Sequence, residues 1–325
     1  MNRFDMEGAK RFIREGDDFL LVTHVQPDGD AVSSLLAAAL LLRALGKRYT
    51  PVIADRVPNK LRFLEGSGLI RTARADEPPG RLHDRVIALD CADFSRIGAA
   101  AAWCAPDARL LNIDHHPTND GFGDVVLIKP EAAATAEILY ELVNAMGVPW
   151  HRELAECIYT GILTDTGGFR YPNTTPASHR IASEMLERGA AGSQIAERLL
   201  ERVPHSHVRL LKRALSTLSF AAGNRISWLT VTRADMAETE AETEDLEGLV
   251  NYPRNIEGVE VGILFKEVDD GKVKVSLRSA GAIDVAAFAK SFGGGGHVRA
   301  AGVTLDMPLP DAVDTIVGAL RGLMT

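Results

Sequence analysis

The chain has 325 residues, too many for one ordinary compact unit and enough for two. With 46% hydrophobic and 25% charged residues it reads as globular, not disordered. A net charge of −8 argues against wrapping long nucleic acid, which asks for a broad basic face. It leaves room for a small anionic substrate, because bound cations can supply the local positive charge. No apolar run approaches the ~20 residues of a membrane helix. The opening stretch MNRFDMEGAKRFIREGDD is charged throughout and has no apolar signal core, so a cytoplasmic location and no membrane partner are expected. Cys91, Cys104 and Cys157 are scattered without a CxxC pair, which predicts buried free thiols in place of a disulfide framework or a thiolate zinc site.

Taken in chain order, the first half alternates short β-rich runs with helical patterns. Phe19 to His24, Tyr49 to Asp55, Arg85 to Asp90, Leu110 to His116 and Asp124 to Lys129 read as buried strands. The stretches SSLLAAALLLRALG and AAATAEILYELVNAMG read as helices, each ending at a glycine. Apolar strands alternating with helices predict βαβ units and a parallel sheet covered on both faces. Glu153 to Leu186 is helical, broken by TDTGGFRYPNTTP. Small and polar residues follow from Gly189 to Pro204, and a boundary is expected there. That divides the chain into a first domain over 1–190, a linker over 191–215 and a second domain over 216–325.

In the second half, RISWLTVT, VEVGILFKEV and KVKVSLRS read as strands, with a hairpin turn at Asp269-Asp270-Gly271-Lys272. Helices are expected over Ile283 to Ser291 and Ala312 to Leu323. The acidic run Glu238 to Glu247 reads as a solvated helix start. The fold class is therefore α/β: an N-terminal parallel-sheet domain, then a smaller α+β domain on a mixed or antiparallel sheet.

His and Asp residues gather just past the predicted strand ends, the edge at which open α/β sheets bind ligands. The first cluster is THVQPDGDA, with His24, Asp28 and Asp30 ahead of a helix starting near Ser33. Its two carboxylates repel in a tight turn, and a divalent cation would neutralise them. Asp-Gly-Asp alone would be a turn with a helix cap. The second is Asp90, which alone would be a turn carboxylate. The third is IDHHP, with Asp114, His115 and His116; side chains alternate along extended chain, so one ring can take a metal and the other face substrate. The fourth is LTDTGGFRY, where Asp165 precedes two glycines and Arg170 is near enough to meet a phosphate. The last is SFGGGGHVRAAG, whose glycine amides at Gly293 to Gly296 can approach a phosphate or a base face ahead of His297; a flexible hinge is the plainer reading of such a run. Arg278 and Ser279 lie on the preceding strand. The other histidines, His83, His151, His179, His205 and His207, sit outside any motif and read as surface or packing residues.

Four Asp and at least two His from four element ends are enough for two metal ions ~3.5–4 Å apart with one bridging carboxylate. Mixed His and carboxylate ligands suit Mn²⁺ or a similar first-row ion better than Ca²⁺. Such a pair would ionise a shared water near neutral pH for in-line attack on phosphorus.

The ordered set THVQPDGDA, ALD, IDHHP, DTGGFRY and GGGGH resembles the DHH phosphoesterase superfamily with its DHH-associated C-terminal domain. The length and the stretch FGDVVLIKPEAAATAEILYEL resemble its NrnA-type members. The resemblance runs from about Phe19 to Gly302. It implies that His24, Asp28 and Asp90 hold one ion, and that Asp30, Asp90, His115 and Asp165 hold the other, with Asp90 as the bridge. It implies two divalent ions, Mn²⁺ first, with Mg²⁺ or Co²⁺ as alternatives. His116 would meet the scissile phosphate or assist the leaving group, and Asp114 would orient the pair. Arg278, Ser279, Gly295, Gly296 and His297 would hold the nucleotide, in a cleft that domain closure could gate. Where the family often has glycine after the first motif, this chain has Ser33 and Ser34.

The implied activity is an oligoribonuclease on very short RNA or DNA oligonucleotides, with phosphatase activity on 3′-phosphoadenosine 5′-phosphate (PAP). Family habit adds homodimerisation. Hydrolysis of linear or cyclic dinucleotide signals such as pApA or c-di-AMP would use the same site. A catalytically dead nucleotide-binding module is disfavoured, because no ligand position is missing.

Overall fold

The computed structural model describes residues 3–74, 76, 79–268, 271–281 and 283–324. The chain divides into two compact units between Arg202 and Val203.

The first unit opens with α1 (Met6–Glu15), β1 (Phe19–Val22), α2 (Gly29–Ala44) and β2 (Tyr49–Ile53). There follow β3 (Arg71–Thr72), β4 (His83–Leu89), β5 (Cys104–Asp114) and β6 (Val125–Ile128). Helices α3 (Thr135–Met146), α4 (Arg152–Asp165), α5 (Pro176–Glu187) and α6 (Gly192–Ala196) complete it. The strands form one parallel sheet in the order β3-β2-β1-β4-β5-β6. The chain steps outward from β1 to β3, then returns to lay β4 on the other side of β1. The order therefore reverses between β1 and β4, and a crevice opens beyond their carboxyl ends.

Side-chain alternation gives the sheet two buried faces. Phe19, Leu21, Ile87, Leu89, Leu111 and Ile113 pack among the helices. Leu20, Val22, Val86 and Ala88 pack on the other side with Ile97 and Ala100 of the short helical turns Phe94–Trp103. Helix α2 is buried at every position from Gly29 to Leu42, as expected of a helix apolar all round. It packs against α4 so closely that a Cβ on Gly29 would lie 2.4 Å from the Thr164 side chain. The same atom on Gly161 would lie 2.5 Å from the Ala136 Cβ. Gly46 and Gly147 follow α2 and α3 in the left-handed conformation, φ 70° and 69°, which glycine adopts without a Cβ clash.

The structure differs from the sequence expectation in several details. Helix α2 starts at Gly29, not near Ser33, because Asp28 caps it by accepting from the Ala31 amide at 3.1 Å. Strand β3 was not foreseen: two exposed residues carry no hydrophobic pattern. The stretch 191–215, expected as a linker, is largely helical, with a wide π-type turn at Glu197–Glu201.

The second unit runs α7 (His205–Ser216), β7 (Ser219–Ala221), β8 (Ile226–Val231), α8 (Arg233–Thr239), α9 (Asn251–Arg254) and β9 (Val261–Glu267). It ends with β10 (Val273–Ser279), α10 (Val285–Lys290), β11 (Gly295–His297), β12 (Ala300–Leu305) and α11 (Leu309–Leu323). Its sheet, in the order β11-β12-β10-β9-β8-β7, is mixed, with β8 and β9 parallel and the other neighbours antiparallel. One face packs on α10 and α11 through Val285, Phe288, Ile316 and Leu320. The other packs on α7 through Leu210 and Ala214. Asp269 and Asp270 of the expected hairpin turn lie outside the described residues. Beside them the Val268 amide donates to Lys272 O at 2.9 Å, and Gly271 has φ 71°. The acidic run is the end of α8 plus a short 3₁₀ turn, not a helix start. Two of its members, Glu238 and Glu240, pair with Arg213 and Arg209.

Candidate metal centre

The first unit's polar side chains converge beyond β1, β4 and β5. After β1 the chain leaves the sheet, and His24 turns back over its edge. The Nδ1–H of His24 donates to Val25 O at 2.8 Å, the only role that a carbonyl partner allows, so Nε2 is left to face Asp90 Oδ2 at 3.4 Å. Gly98 presses the same loop: a Cβ there would lie 2.5 Å from the Val25 side chain, and Arg96 O accepts the Val25 amide at 2.7 Å. Asp28 caps α2 and stays exposed.

Asp30, in the first turn of α2, is only 1% exposed. Its carboxylate accepts from the Thr135 amide at 2.6 Å, the Ala136 amide at 3.0 Å and the Ser34 hydroxyl at 3.0 Å. The positive end of α3 thus faces a buried carboxyl group. Gly161 makes this possible, since a Cβ there would lie 2.6 Å from Asp30 Oδ1.

Asp90 follows β4 with φ 59°, an uncommon conformation for a residue with a side chain, of the kind that concentrates at functional sites. Its Oδ1 accepts from the Thr135 hydroxyl at 2.9 Å. Asp114 ends β5, and His115 and His116 leave it with rings 4.7 Å apart and inclined at 61°. His115 Nδ1–H donates to Ala132 O at 3.2 Å, turning Nε2 to Asp90 at 3.7 Å and Asp165 at 3.5 Å. His116 Nδ1–H donates to Asp114 at 2.8 Å. Asp165 ends α4, and Gly167 and Gly168 after it are both left-handed, at φ 58° and 71°. Arg170 is exposed, its Nε donating to Gly167 O at 2.6 Å.

Three overlapping groups have ligand atoms within 4.8 Å of one another: His24, Asp28 and Asp90; Asp30, His115 and Asp165; and Asp90, His115 and His116. His116 is the exception among them, because its Nδ1, 3.6 Å from Asp90, is already taken by Asp114.

The electrostatics are those of several carboxyl groups and imidazoles crowded into a buried site. Burial, with Asp90 and Asp165 nearby, pushes Asp30 well above the carboxylate range. Burial, helped by Asp90 and Asp28 against His115, lifts Asp165 to about 7. Burial lowers His115, but the charges of Asp90, Asp30 and Asp165 outweigh it and raise the ring to about 9. His24 and His116 rise for the same reason, through Asp90 and Asp114. Burial alone would raise Asp90, yet the His24 hydrogen bond and the surrounding imidazoles hold it well below its ordinary value. Two imidazole nitrogens aimed inward by backbone carbonyls, among carboxylates that hold protons against their nature, fit a pair of divalent cations.

Sequence reasoning passed over the residues that hold this cage. Thr135 meets two candidate ligands at once, Asp30 and Asp90, and Asn173 Nδ2 donates to both Ala133 O at 3.0 Å and Asp165 O at 3.1 Å. Asn119 Nδ2 donates to Asp114 Oδ2 at 2.6 Å. Each is a lone polar residue whose partner is distant in sequence or is backbone. His179 stacks on Phe169 of the fourth motif, rings 4.7 Å apart, as a packing residue.

The remaining candidates belong to the second unit. Arg278 on β10 pairs with Ala300, which pairs in turn with His297, so all three share one register level. The His297 side chain lies outside the described set. Arg278 Nη1 donates to Leu277 O at 3.0 Å. Ser279 is 1% exposed and its hydroxyl donates to Gly281 O at 3.3 Å. The glycine run is no hinge: it presses on β12, where a Cβ on Gly296 would lie 2.5 Å from Ala300 O and one on Gly294 would lie 2.3 Å from Gly302 O. Gly295 faces open space.

A parallel sheet with a His and carboxylate cage at its switch point is the working domain of a metal-dependent hydrolase. Two family models match: the DHH family N-terminal domain over residues 18–162 and the DHHA1 domain over 227–325. The chain is 39% identical over 306 residues to the bifunctional oligoribonuclease and PAP phosphatase NrnA of Thermus thermophilus, covering 94% of this chain and 90% of that one. It is 27% identical to the protein of the same name from Bacillus subtilis, over 89% and 90% of the two chains. An exopolyphosphatase-related protein from Bacteroides fragilis superimposes with a TM-score of 0.88 at 27% identity, over 98% and 97% of the two chains. The chain belongs to the DHH family of metal-dependent phosphoesterases, with a DHHA1 domain after the DHH domain.

Proposed function

We propose that this enzyme hydrolyses very short oligonucleotides and 3′-phosphoadenosine 5′-phosphate in the cytoplasm, with two divalent ions, Mn²⁺ first among them. The observation that carries the proposal is the overlap of the ligand groups: Asp90 joins His24 and Asp28 to His115, and His115 joins Asp90 to Asp30 and Asp165. His24, Asp28 and Asp90 would hold one ion, and Asp30, Asp90, His115 and Asp165 the other. Bound there, the ions would polarise the phosphoryl oxygens and lower the pKa of a coordinated water.

The chain's own residues do the rest. The α3 amides and Ser34 keep Asp30 fixed while charge changes around it. Asp114 fixes the His116 ring, so any exchange of a proton with the leaving oxygen passes through the far nitrogen, Nε2. Arg278, Gly295, Gly296 and His297 would hold the nucleotide, Arg278 by its guanidinium and the glycines by their amides. The names of the Thermus and Bacillus relatives support the choice of substrates.

The test is a panel on purified enzyme with Mn²⁺: RNAs of graded length, pApA, cyclic dinucleotides and PAP. Rates that are highest on di- to tetranucleotides and PAP are expected. A preference for cyclic dinucleotides, or no hydrolysis of either substrate class, would overturn the proposal.

A further inference from the structure

Asn119 lies three residues past His116, at the turn that follows β5, and is 3% exposed. Its amide is fully committed. Nδ2 donates to Asp114 Oδ2 at 2.6 Å and to Cys91 O at 2.9 Å, and Oδ1 accepts from the Gly121 amide at 2.7 Å. The orientation follows from the partners: both groups facing Nδ2 can only accept, and the one facing Oδ1 can only donate. The backbone repeats the grip, with the Asn119 amide donating to His116 O at 3.1 Å and the Asp120 amide to Ala92 O at 3.0 Å.

Asp114 is wholly buried. One of its oxygens accepts from His116 and the other from Asn119, so the carboxylate cannot rotate without breaking a bond. Cys91 directly follows Asp90. The side chain that steadies Asp114 therefore also ties the exit of β4 to the exit of β5.

We infer that Asn119 is a positioning residue for phosphoester cleavage: through Asp114 it sets the orientation and protonated nitrogen of His116. The inference rests on the proposed reading of His116 as the group that meets the leaving oxygen. Asn119 touches no metal ligand side chain in this arrangement, so its loss should spare metal affinity. A carboxylate released on one side can turn its remaining oxygen away from the ring, and His116 then presents Nε2 in the wrong state for part of the time.

The experiment compares wild type, Asn119→Ala, the isosteric Asn119→Asp, His116→Ala and the Asn119→Ala/His116→Ala double variant, all with Mn²⁺. Two substrates are used. Cleavage of a dinucleotide expels a poor, basic ribose alkoxide, and cleavage of an aryl nucleotide ester expels an aryloxide that needs no proton. Asn119→Ala is expected to lower kcat on the dinucleotide by about 10- to 100-fold. The aryl ester rate and the Mn²⁺ affinity by calorimetry should hardly move. In the His116→Ala background the same substitution should cost nothing further. Asn119→Asp keeps the side-chain volume but puts a carboxylate against Asp114, and should show the same selective loss. Nitrogen NMR of the metal-free wild type should find the proton on His116 Nδ1.

Equal losses on both substrates, additive losses in the double variant, weakened Mn²⁺ binding, or an unprotonated Nδ1 would each overturn the positioning role. An unprotonated Nδ1 in the wild type overturns the role even if neither variant folds. A wild type that cleaves neither substrate would instead sink the functional reading beneath it.

Discussion

Asp90 is the residue on which most of the chemistry turns. It is buried, sits at φ 59° and lies within reach of His24, His115 and His116. Asp90→Ala should bring turnover of dinucleotide and PAP alike to the background rate while circular dichroism stays native; appreciable residual rate would remove the bridging role. Protonation makes a second prediction at this scale. Below pH 7 the metal-free site carries protons on Asp165, raised to about 7, and on His115, raised to about 9. A cation must displace them, so Mn²⁺ affinity should climb as pH rises through about 7 toward about 9. Calorimetry in two buffers of different ionisation heat should count the released protons. A flat profile would mean that these two side chains are not ligands. In the second unit, Arg278→Ala should raise KM for dinucleotides by roughly 10- to 100-fold, the worth of a charge-assisted hydrogen bond, with far less effect on a minimal aryl phosphate. The cluster was legible because His and Asp stood at predicted strand and helix ends, and the resemblance to the DHH superfamily singled out six of them as ligand candidates. Thr135, Asn119 and Asn173 were not, because a lone polar residue reveals its use only beside its partner. Thr135 lies 45 residues from Asp90 and 105 from Asp30.

The elements that place these residues obey local rules. The parallel strands were readable because their central stretches, such as Phe19–Val22 and Val86–Leu89, are apolar and buried on both faces; β3 escaped because both of its residues are polar and exposed. Helix α2 starts about one turn before the expected position near Ser33, because Asp28 caps it, as the plainer reading of Asp-Gly-Asp has it. The approach of α2 to α4 is the element-scale feature most open to test. Gly161→Ala would thrust a Cβ to 2.6 Å from Asp30 Oδ1 and 2.5 Å from the Ala136 Cβ. Overpacking of this kind typically costs about 1–3 kcal/mol, visible in urea unfolding, and should also weaken Mn²⁺ binding by displacing Asp30. A variant as stable as wild type with unchanged metal affinity would show that Asp30 does not depend on this contact.

Each of the two units has cores of its own. All six metal-ligand candidates belong to the first. Saturating Mn²⁺ should therefore stabilise that unit alone, by about 2.7 kcal/mol per bound ion at a hundredfold excess over Kd, and a chelator should reverse it. Scanning calorimetry that showed both units shifting equally would argue against a site confined to the first. By itself the sequence determined the alternation of apolar strands and helices, the two-part organisation and the chemical character of the residues at the strand exits. Those are properties of short windows, set by burial pattern and turn chemistry. Only the tertiary structure decided that β4 lies beside β1, which brings Asp90 to His24, and that α3 aims its amides at Asp30. Sheet order and helix docking are long-range choices, made by the packing of whole faces, and no local run of residues encodes them.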